Sequence, residues 1–313
     1  MTTAFLFPGQ GAQVVGMGAD IAAAYPVAAT IFEQANRILG FDLRKVCFEG
    51  PAETLNSTTM SQPAIFTMSA ALLEVIRTEP ATSGIRPQIT AGLSMGEYTA
   101  LYAAGLVSFE DGLQLVRKRG EAMQAAADAT QGAMVSIMGL DEEKVRQLCR
   151  EAANGELLEP VNFNCPGQIV VSGTIPACQR AVELAPQYGA LKAIRLEVAG
   201  AFHTSMMAGA AEALRRALSA CRITEPGSIK TLANIDAQYY SSAAAVVDGL
   251  ARQLTSPILW AKCMQRLLSE GVDQFYEIGP GRVLTGLMKR IDRKAKVVNL
   301  STADSIKALI KGV

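Results

Sequence analysis

The sequence is poor in histidine and tryptophan and has no excess of either charge. Among its 313 residues there is one histidine and one tryptophan, and Lys plus Arg equals Asp plus Glu at 29 each. A chain without net positive charge is not expected to hold nucleic acid through bulk electrostatic attraction. Six cysteines are present, but none lies in a CxxC pair or at a histidine-paired spacing. We therefore predict no metal site and no disulfide framework.

Long uninterrupted hydrophobic runs are also missing. The charge-free stretches 1–19 and 54–73 are interrupted by Gly, Pro, Ser or Gln, so neither is typical of a membrane span. The N-terminus has no basic region, and its apolar patch from Phe5 to Phe7 is too short for a secretion signal. We expect a cytoplasmic protein without a membrane segment, whose cysteines are buried thiols.

Half of the residues are hydrophobic, so a large core is available. The length fits about two domains, or one large domain that carries an insertion. Short apolar runs alternate with longer helix-period segments, which is typical of an α/β protein with a mainly parallel sheet. The expected strands, besides a short extended segment at 88–91, are 4–7, 230–234, 274–278 and 297–300.

The middle of the chain has a different pattern. It predicts, in order, a strand at 133–138, a helix at 141–153, strands at 161–164 and 169–172, a helix at 176–188 and a strand at 192–198. This β-α-β-β-α-β order is the ferredoxin-like pattern. We therefore predict a large domain made of residues 1–130 and 199–313, into which a small domain, residues 131–198, is inserted.

The segment Gly92-Leu93-Ser94-Met95-Gly96 carries the strongest chemical signal. It places a serine between two glycines, where a short strand is expected to turn sharply into a helix. In a nucleophile elbow this turn exposes the serine hydroxyl beside a backbone N–H. The GxSxG pattern alone fits an ordinary turn equally well, so the interpretation depends on whether a base is available.

The candidate base is His203, the one histidine of the chain. Imidazole titrates near neutral pH and suits the removal of a proton from a serine hydroxyl, although a lone histidine more often has a structural role. A carboxylate commonly orients such a histidine, but the acids Asp128, Asp141 and Glu197 show no context for that role. A backbone carbonyl can hold the ring instead, which would make the site a dyad.

The loop 8–11, Pro-Gly-Gln-Gly, follows the first expected strand. A glycine-flanked turn in this place can direct a backbone N–H, here that of Gln10, at the oxyanion of an acyl-transfer intermediate. A dinucleotide-binding loop fails on spacing, because the third glycine of GxGxxG would fall on Val14. A plain strand-to-helix turn is the alternative interpretation.

A cation is predicted to face the interior from the helix that begins at Phe109, with Ser108 as its cap. Within that helix Leu115, Arg119 and Met123 recur at every fourth position, so Arg119 shares a stripe with apolar residues. An inward guanidinium needs an anion, and a substrate carboxylate would bind it through two parallel hydrogen bonds. The alternative is an arginine whose stem is buried while its head reaches the surface.

Seven segments together carry a resemblance to a known family. They are FPGQG at 7–11, GLSMGEY at 92–98, RG at 119–120, VNFNCPGQ at 161–168, GAFH at 200–203, RQL at 252–254 and EIGPG at 277–281. The chain resembles, from Ala4 to about Leu300, the malonyl-CoA:acyl carrier protein transacylases of fatty acid synthesis and the free-standing acyltransferases of polyketide synthesis. The resemblance implies an α/β-hydrolase-like large domain with a ferredoxin-like insert, in agreement with the pattern above.

The resemblance also implies a role for each matching residue. Ser94 would carry the malonyl group as an ester, His203 would act as base and acid, and Arg119 would pair with the free malonyl carboxylate. Gln10 and Met95 would donate backbone N–H groups to the oxyanion.

Further implied roles concern the walls of the site. The main-chain carbonyl of Gln253 would orient the histidine in place of a carboxylate. Asn162 and Asn164 would line the cleft, and the bulk of Phe202 would exclude an α-methyl branch on the acyl group. Many family members have histidine at the position of Leu93 and leucine at that of Met95. The family's histidine is not its base, so we expect its loss to leave the mechanism intact and to affect only the packing behind the elbow.

The implied reaction moves a malonyl group from malonyl-CoA to the phosphopantetheine thiol of an acyl carrier protein, in two half-reactions. No permanently bound cofactor and no partner chain are required, so we expect a monomer that binds neither nucleic acid nor membrane. A serine hydrolase or thioesterase would use the same Ser94 and His203 with water as acceptor, and a non-catalytic carrier-binding subunit would use neither. Arg119 distinguishes the transferase from the hydrolase, because an enzyme that hydrolyses neutral acyl chains has no need of a cation facing the interior.

Overall fold

The structure is a computed structural model that describes residues 2–312. Within that range the strands are β1 (Thr3–Phe7), β2 (Ile89–Gly92), β3 (Gly132–Met138), β4 (Leu158–Cys165), β5 (Gln168–Thr174), β6 (Lys192–Arg195), β7 (Lys230–Leu232), β8 (Gln274–Ile278) and β9 (Val297–Leu300). They form two separate sheets, one of five strands and one of four.

The helices of the first half of the chain are α1 (Ala19–Ala24), α2 (Pro26–Leu39), α3 (Leu43–Glu49), α4 (Ala52–Asn56), α5 (Thr58–Thr78), α6 (Gly96–Ala103) and α7 (Phe109–Thr130). Those that follow are α8 (Glu142–Ala153), α9 (Ile175–Leu184), α10 (Ala208–Ala220), α11 (Ala243–Gln253), α12 (Trp260–Ser269), α13 (Val283–Ile291) and α14 (Ala303–Gly312). Two short 3-10 helices, Ala185–Tyr188 and Ser205–Met207, complete the regular structure of the described chain.

The larger sheet is entirely parallel, with strand order β7-β2-β1-β8-β9. Its central strand β1 is buried along its whole length. A parallel sheet is covered by helices on both faces, which explains why its strands are near-continuous apolar runs in the sequence. The prediction of a mixed α/β protein with a mainly parallel sheet is confirmed.

The smaller sheet is antiparallel, with strand order β4-β5-β3-β6, and has a core of its own. Helices α8 and α9 cover it, and their apolar residues pack on Val135, Ile137 and Val171. The element order along the chain is the predicted β-α-β-β-α-β. Asp141 begins α8 as predicted, because its carboxylate accepts a hydrogen bond from the Lys144 N–H at 2.9 Å.

Three boundaries differ from the prediction by three residues or more, and others by one or two, such as the strand expected at 230–234, which ends at Leu232. Strand β4 begins three residues earlier than expected, at Leu158, where it pairs with β5 across a bulge. The last strand ends at Arg195 instead of residue 198, since the chain then leaves the sheet and residues 196–198 line a cavity. The second helix ends at Leu184 and continues as a 3-10 turn, in which Pro186 has no N–H to extend the helix.

The carboxyl ends of the parallel strands meet on one edge of the larger sheet. The loop 8–11 follows β1, the GxSxG segment follows β2, and Asn234 follows β7. Ligands of open α/β sheets bind at this edge. None of the helices within residues 2–312 combines the length and the apolar character needed to cross a membrane.

Candidate active site

The serine of the GxSxG segment lies on a strained turn between β2 and α6. Ser94 has φ 51°, in the left-handed region that a residue with a side chain rarely adopts. The turn also needs a glycine after it, because a methyl group at Gly96 would lie 2.2 Å from the carbonyl oxygen of Phe7. The predicted nucleophile elbow is therefore the observed backbone geometry.

Asn234 holds this turn from the neighbouring strand. Its side-chain oxygen accepts a hydrogen bond from the Ser94 N–H at 2.6 Å, and its side-chain nitrogen donates to the Gly92 carbonyl at 2.8 Å. The strained serine and the last residue of β2 are thus tied to one fully buried amide. Sequence reasoning placed Asn234 at the end of a strand and gave it no function.

Ser94 and His203 face each other across the site. The Ser94 Oγ lies 3.0 Å from His203 Nε2, and His203 Nδ1 lies 2.8 Å from the main-chain carbonyl oxygen of Gln253. A carbonyl oxygen only accepts, so Nδ1 carries the proton and Nε2 has a free lone pair for the serine hydroxyl. Among residues 2–312 no carboxylate makes a hydrogen bond to the imidazole ring.

The surroundings keep His203 uncharged. Burial, and then the nearby positive charge of Arg119, lower the pKa of His203 from 6.5 to about 3, while its bond to Gln253 opposes the shift. The ring is therefore a neutral proton acceptor at physiological pH. This is the state that a general base needs before the serine attacks.

Arg119 is buried at 1% exposure on the face of α7 that points to the site. Its Nη1 donates to Gln62 Oε1 at 2.9 Å, and its Nη2 donates to Ser94 Oγ at 2.9 Å and to Gln253 Oε1 at 3.0 Å. Each of these acceptors is a neutral oxygen. Within the described chain Arg119 forms no ion pair, and its Nε has no hydrogen-bond partner. A buried guanidinium in such surroundings is ready to bind an anion.

The two predicted oxyanion donors lie where the loop 8–11 meets the elbow. A methyl group at Gly9 would be 2.4 Å from the Leu93 carbonyl oxygen, so the loop packs directly on the turn. Within residues 2–312 neither the Gln10 N–H nor the Met95 N–H donates a hydrogen bond to a protein acceptor. Met95 immediately precedes α6, whose N-terminal dipole favours negative charge at this point.

A cavity of about 510 Å³ opens over these groups. The predicted residues that line it are Gln10, Ser94, Arg119, Asn162, Phe202 and His203. Leu93 also contributes to its wall. Asn164 does not: its side chain is buried elsewhere, with an unpaired Oδ1. Gln253 does not line the cavity: its side chain lies behind Arg119 and Ser94 and hydrogen-bonds to both.

Sequence reasoning missed three buried polar residues that support the site. Gln62 on α5 accepts from Arg119, Asn234 holds the elbow, and Glu97 on α6 accepts from Asn234 and Gln253. Glu97 was the one with a visible signal, since it is the single charge between Gly92 and Gly105. Gln62 lies in a long apolar helix and has no such signal.

The fold and the site together define a class of enzyme. A serine activated by a neutral histidine, with two free N–H groups beside it, is equipped to take an acyl group as an ester. The buried cation limits the class further, since it suits an acyl group that ends in a carboxylate.

The chain belongs to the acyl transferase domain family, whose sequence profile matches residues 4–313. It is similar to the malonyl CoA-acyl carrier protein transacylase of Bacillus subtilis, with 43% identity over 309 residues, 98% of this chain and 96% of that protein. The family resemblance inferred from the seven segments is confirmed.

Two solved structures show the same fold. The malonyl CoA-acyl carrier protein transacylase of Coxiella burnetii has a TM-score of 0.95 at 36% identity and covers 99% of this chain and 97% of its own. A malonyl-transacylase solved in complex with a type II polyketide synthase acyl-carrier protein has a TM-score of 0.95 at 38% identity, with full coverage of both chains.

Proposed function

We propose that this protein transfers the malonyl group of malonyl-CoA to the phosphopantetheine thiol of an acyl carrier protein, through a malonyl ester of Ser94. The observation that carries the proposal is the position of Arg119. Its guanidinium is buried, bonded to neutral oxygens alone, and in direct contact with the nucleophile at 2.9 Å. The names of the relatives support the same activity.

In the first half-reaction the Ser94 Oγ attacks the carbonyl carbon of the thioester. His203 Nε2 takes the serine proton, and the backbone N–H groups of Gln10 and Met95 donate to the oxyanion that forms. When the intermediate collapses, the C–S bond breaks, and the proton on His203 goes to the sulfur of coenzyme A. The product is a malonyl-serine ester and free coenzyme A.

Arg119 selects the acyl group. In the free enzyme its Nη atoms are bonded to Gln62, Ser94 and Gln253. The malonyl carboxylate replaces at least one of these neutral acceptors and provides the counter-charge that the guanidinium lacks. An acetyl group offers no such replacement, so it is a poorer substrate.

In the second half-reaction His203 removes the proton of the phosphopantetheine thiol. The sulfur attacks the ester carbonyl, the same two N–H groups stabilise the oxyanion, and the C–O bond to Ser94 breaks. The proton on His203 then returns to Ser94 Oγ. Because coenzyme A leaves before the carrier protein binds, the kinetics are ping-pong.

Phe202 restricts the acyl pocket. It is buried and lines the cavity beside Ser94 and His203, and its ring is proposed to fill the space that an α-methyl branch would need. Replacing Phe202 with alanine should therefore raise transfer of methylmalonyl groups relative to malonyl groups. An unchanged ratio of the two transfer rates would argue against this role. Asn162 lines the same cavity and is proposed to contact substrate, whereas Asn164 lies outside the cavity, so its expected place in the cleft lining is not observed.

At the level of architecture, residues 1–130 and 199–313 form an α/β-hydrolase-like domain and residues 131–198 a ferredoxin-like insert. The strand order β4-β5-β3-β6, with two helices on one sheet, supports the second assignment. The close approach of Gly132 to Ala201, where an added methyl group would be 2.4 Å from the Ala201 Cβ, supports a boundary near these residues.

The protein is proposed to act as a cytoplasmic monomer without a permanently bound cofactor, on malonyl-CoA and a carrier protein and on neither nucleic acid nor membrane. The six free cysteines support a reducing compartment. The solved complex of a similar malonyl-transacylase with a carrier protein supports the partner.

Intact-mass measurement tests the activity directly. With malonyl-CoA alone, the enzyme should gain the mass of one malonyl group, and addition of carrier protein bearing phosphopantetheine should move that mass to the carrier. The S94A variant is the control and should gain nothing. A thioesterase would release free malonate without charging the carrier, and a carrier-binding subunit would never gain mass; either result would contradict the proposal.

A further inference from the structure

Glu97 lies directly below the active site, on the first turn of α6, with a fully buried carboxylate. It does not line the cavity and does not contact Ser94 Oγ or His203. We propose that Glu97 is a positioning residue, which holds nucleophile, base and carboxylate-binding arginine in register through Asn234 and Gln253. The inference rests on the acyl transfer proposed above.

The first connection runs to the nucleophile. Glu97 Oε2 accepts a hydrogen bond from the Asn234 N–H at 3.0 Å. The side chain of Asn234 in turn bridges the Ser94 N–H and the Gly92 carbonyl. The carboxylate therefore fixes the residue that keeps Ser94 in its left-handed conformation, a conformation that persists only where the surroundings enforce it.

The second connection runs to the base and the cation through a single residue. Glu97 Oε2 accepts from Gln253 Nε2 at 2.9 Å, and the same Nε2 donates to the Ser94 carbonyl at 3.1 Å. The Oε1 of Gln253 accepts from Arg119, and its main-chain carbonyl accepts from His203. One residue thus contacts all three groups, the nucleophile and the cation through its side chain and the base through its main-chain carbonyl.

The charge type of Glu97 decides which way the Gln253 amide points. A carboxylate oxygen and a carbonyl oxygen both require a donor, so the NH2 end of the amide must face Glu97 and Ser94. Its oxygen then faces Arg119, which has only donors. If the amide were reversed, two acceptors would face each other and the NH2 group would face the guanidinium. Glu97 therefore sets the acceptor that Arg119 uses in the free enzyme.

A third donor completes the environment of the carboxylate. The Tyr240 hydroxyl donates to Glu97 Oε1 from the segment after β7. Burial raises the pKa of Glu97 to about 7, and the hydrogen bonds from Tyr240, Gln253 and Asn234 oppose that rise. At about pH 8 the group is an acceptor-only carboxylate.

Two substitutions separate hydrogen bonding from side-chain volume. E97A removes the shared acceptor of three buried donors, of which only Gln253 Nε2 keeps another acceptor, the Ser94 carbonyl, and this costs more than the net value of the bonds themselves. E97Q keeps an oxygen for Asn234 and Gln253 and turns its NH2 group toward the Tyr240 oxygen, which can accept once its hydroxyl rotates. The conservative variant therefore preserves the connections that the alanine variant removes.

Glu277 provides a matched control. It is also fully buried, and its carboxylate accepts from the N–H groups of Leu284 and Thr285, from the Thr285 hydroxyl and from Asn299. It lies on β8 and makes no contact with Asn234, Gln253 or Ser94. E277A removes a carboxylate with a similar number of donors, but not one connected to the site.

The test is the single-turnover rate of Ser94 acylation at about pH 8, measured by quenched-flow intact mass with malonyl-CoA and with acetyl-CoA. E97A should slow both reactions, the malonyl reaction by about 100-fold and the acetyl reaction less, because the arginine is displaced together with the dyad. E97Q should have both rates within about fivefold of the wild-type rates. E277A should have the same ratio of malonyl to acetyl rates as the wild type.

Three results would overturn the inference. The acylation rate of E97A could lie within a few fold of the wild-type rate, or E97Q could be as slow as E97A. E277A could also show the same loss of rate and the same altered malonyl-to-acetyl ratio as E97A. If E97A does not fold, E97Q and Y240F remain decisive, since a mild loss in each is expected and a loss of about 100-fold in E97Q would contradict the role assigned to the hydrogen bonds. Failure of wild-type enzyme to acylate with malonyl-CoA would instead reject the proposed function.

Discussion

At the residue scale, the site works with one histidine and no acidic partner for it. A carboxylate beside His203 would stabilise the imidazolium and raise its pKa, but here the ring is held by a main-chain carbonyl and lies near Arg119. The cost of that arrangement is a weaker base. Its benefit is that no protein carboxylate forms an ion pair with Arg119 in the described chain, so the guanidinium can bind the substrate carboxylate that the proposed function requires.

The pH dependence of acylation should reflect this lowered pKa. Because Glu97 has a pKa of about 7, the profile is best measured in E97Q, in which residue 97 does not titrate. Only the neutral His203 ring accepts a proton, and its pKa is about 3, so kcat/KM of E97Q for acetyl-CoA should show no fall between about pH 8 and pH 6. Adding R119A removes one of the two causes of the lowered pKa, so the acidic limb of the pH profile should move upward, toward 6.5. A limb near 6.5 in E97Q itself would contradict the assigned environment.

The role of Arg119 in substrate choice gives a second expectation. R119A should lower malonyl loading by about 100-fold or more, since a charge-assisted, bidentate contact worth about 3 kcal/mol is lost. Acetyl loading should fall much less, because it uses no such contact. Initial rates of acyl-enzyme formation from the two thioesters measure the difference. Equal losses would mean that Arg119 supports Ser94 alone.

At the scale of elements, the site depends on how closely the loop 8–11 approaches the turn between β2 and α6. The contact of Gly9 with Leu93 leaves no space for a side chain. This contact joins two loops, each of which follows a parallel strand. In the proposed mechanism it brings the Gln10 N–H to the oxyanion, so the adjacent strands β1 and β2 would determine the separation of donor and nucleophile.

G9A should accordingly impair chemistry more than binding. The added methyl group must push the loop away from the elbow, and loss of one oxyanion donor typically lowers kcat by about 10²–10³. The KM for malonyl-CoA should change much less, since Arg119 is untouched. Steady-state kinetics provide the comparison, with G84A as control, because Gly84 is exposed and has no atoms within 4 Å of the added methyl. A near-normal kcat would show that the loop does not deliver the donor.

At the scale of the whole molecule, the buried site makes opposite contributions to stability as the pH changes. The pKa of His203 is lowered on folding, so its contribution is present above 6.5 and is lost as the pH falls toward 3. The pKa of Glu97 is raised from 4.5 to about 7, so its contribution is present below 4.5 and is lost as the pH rises through 7. The two groups thus favour different ends of the acid range.

E97Q isolates one of these contributions. The amide does not titrate, so the variant should gain stability relative to wild type between about pH 6 and pH 8, where the wild-type carboxylate ionises in a buried position. The free energy of unfolding of each protein is measured with denaturant at both pH values. The quantity of interest is how far the difference between variant and wild type changes from one pH to the other. A difference that stays constant with pH would exclude Glu97 as a titrating group in this range.

Much of this protein follows from its sequence alone. The GxSxG turn is local, since glycines on both sides of Ser94 are a steric requirement of the backbone, and the apolar runs predict parallel strands because such strands are buried on both faces. The single histidine leaves one candidate for the base, and the helical period places Arg119 on an apolar stripe. These features need no knowledge of distant contacts.

Tertiary structure decided the rest. Arg119 meets Gln62 across 57 residues of sequence, Ser94 meets Asn234 across 140, and Gln253 meets Glu97 across 156. The contacts between buried side chains depend on the packing of whole strands and helices. For the same reason Asn162 lines the cavity whereas Asn164 does not. The candidate reacting groups can be recognised from the order of residues alone, because their requirements are local, whereas the polar network that holds them exists only once the parallel sheet brings distant residues together.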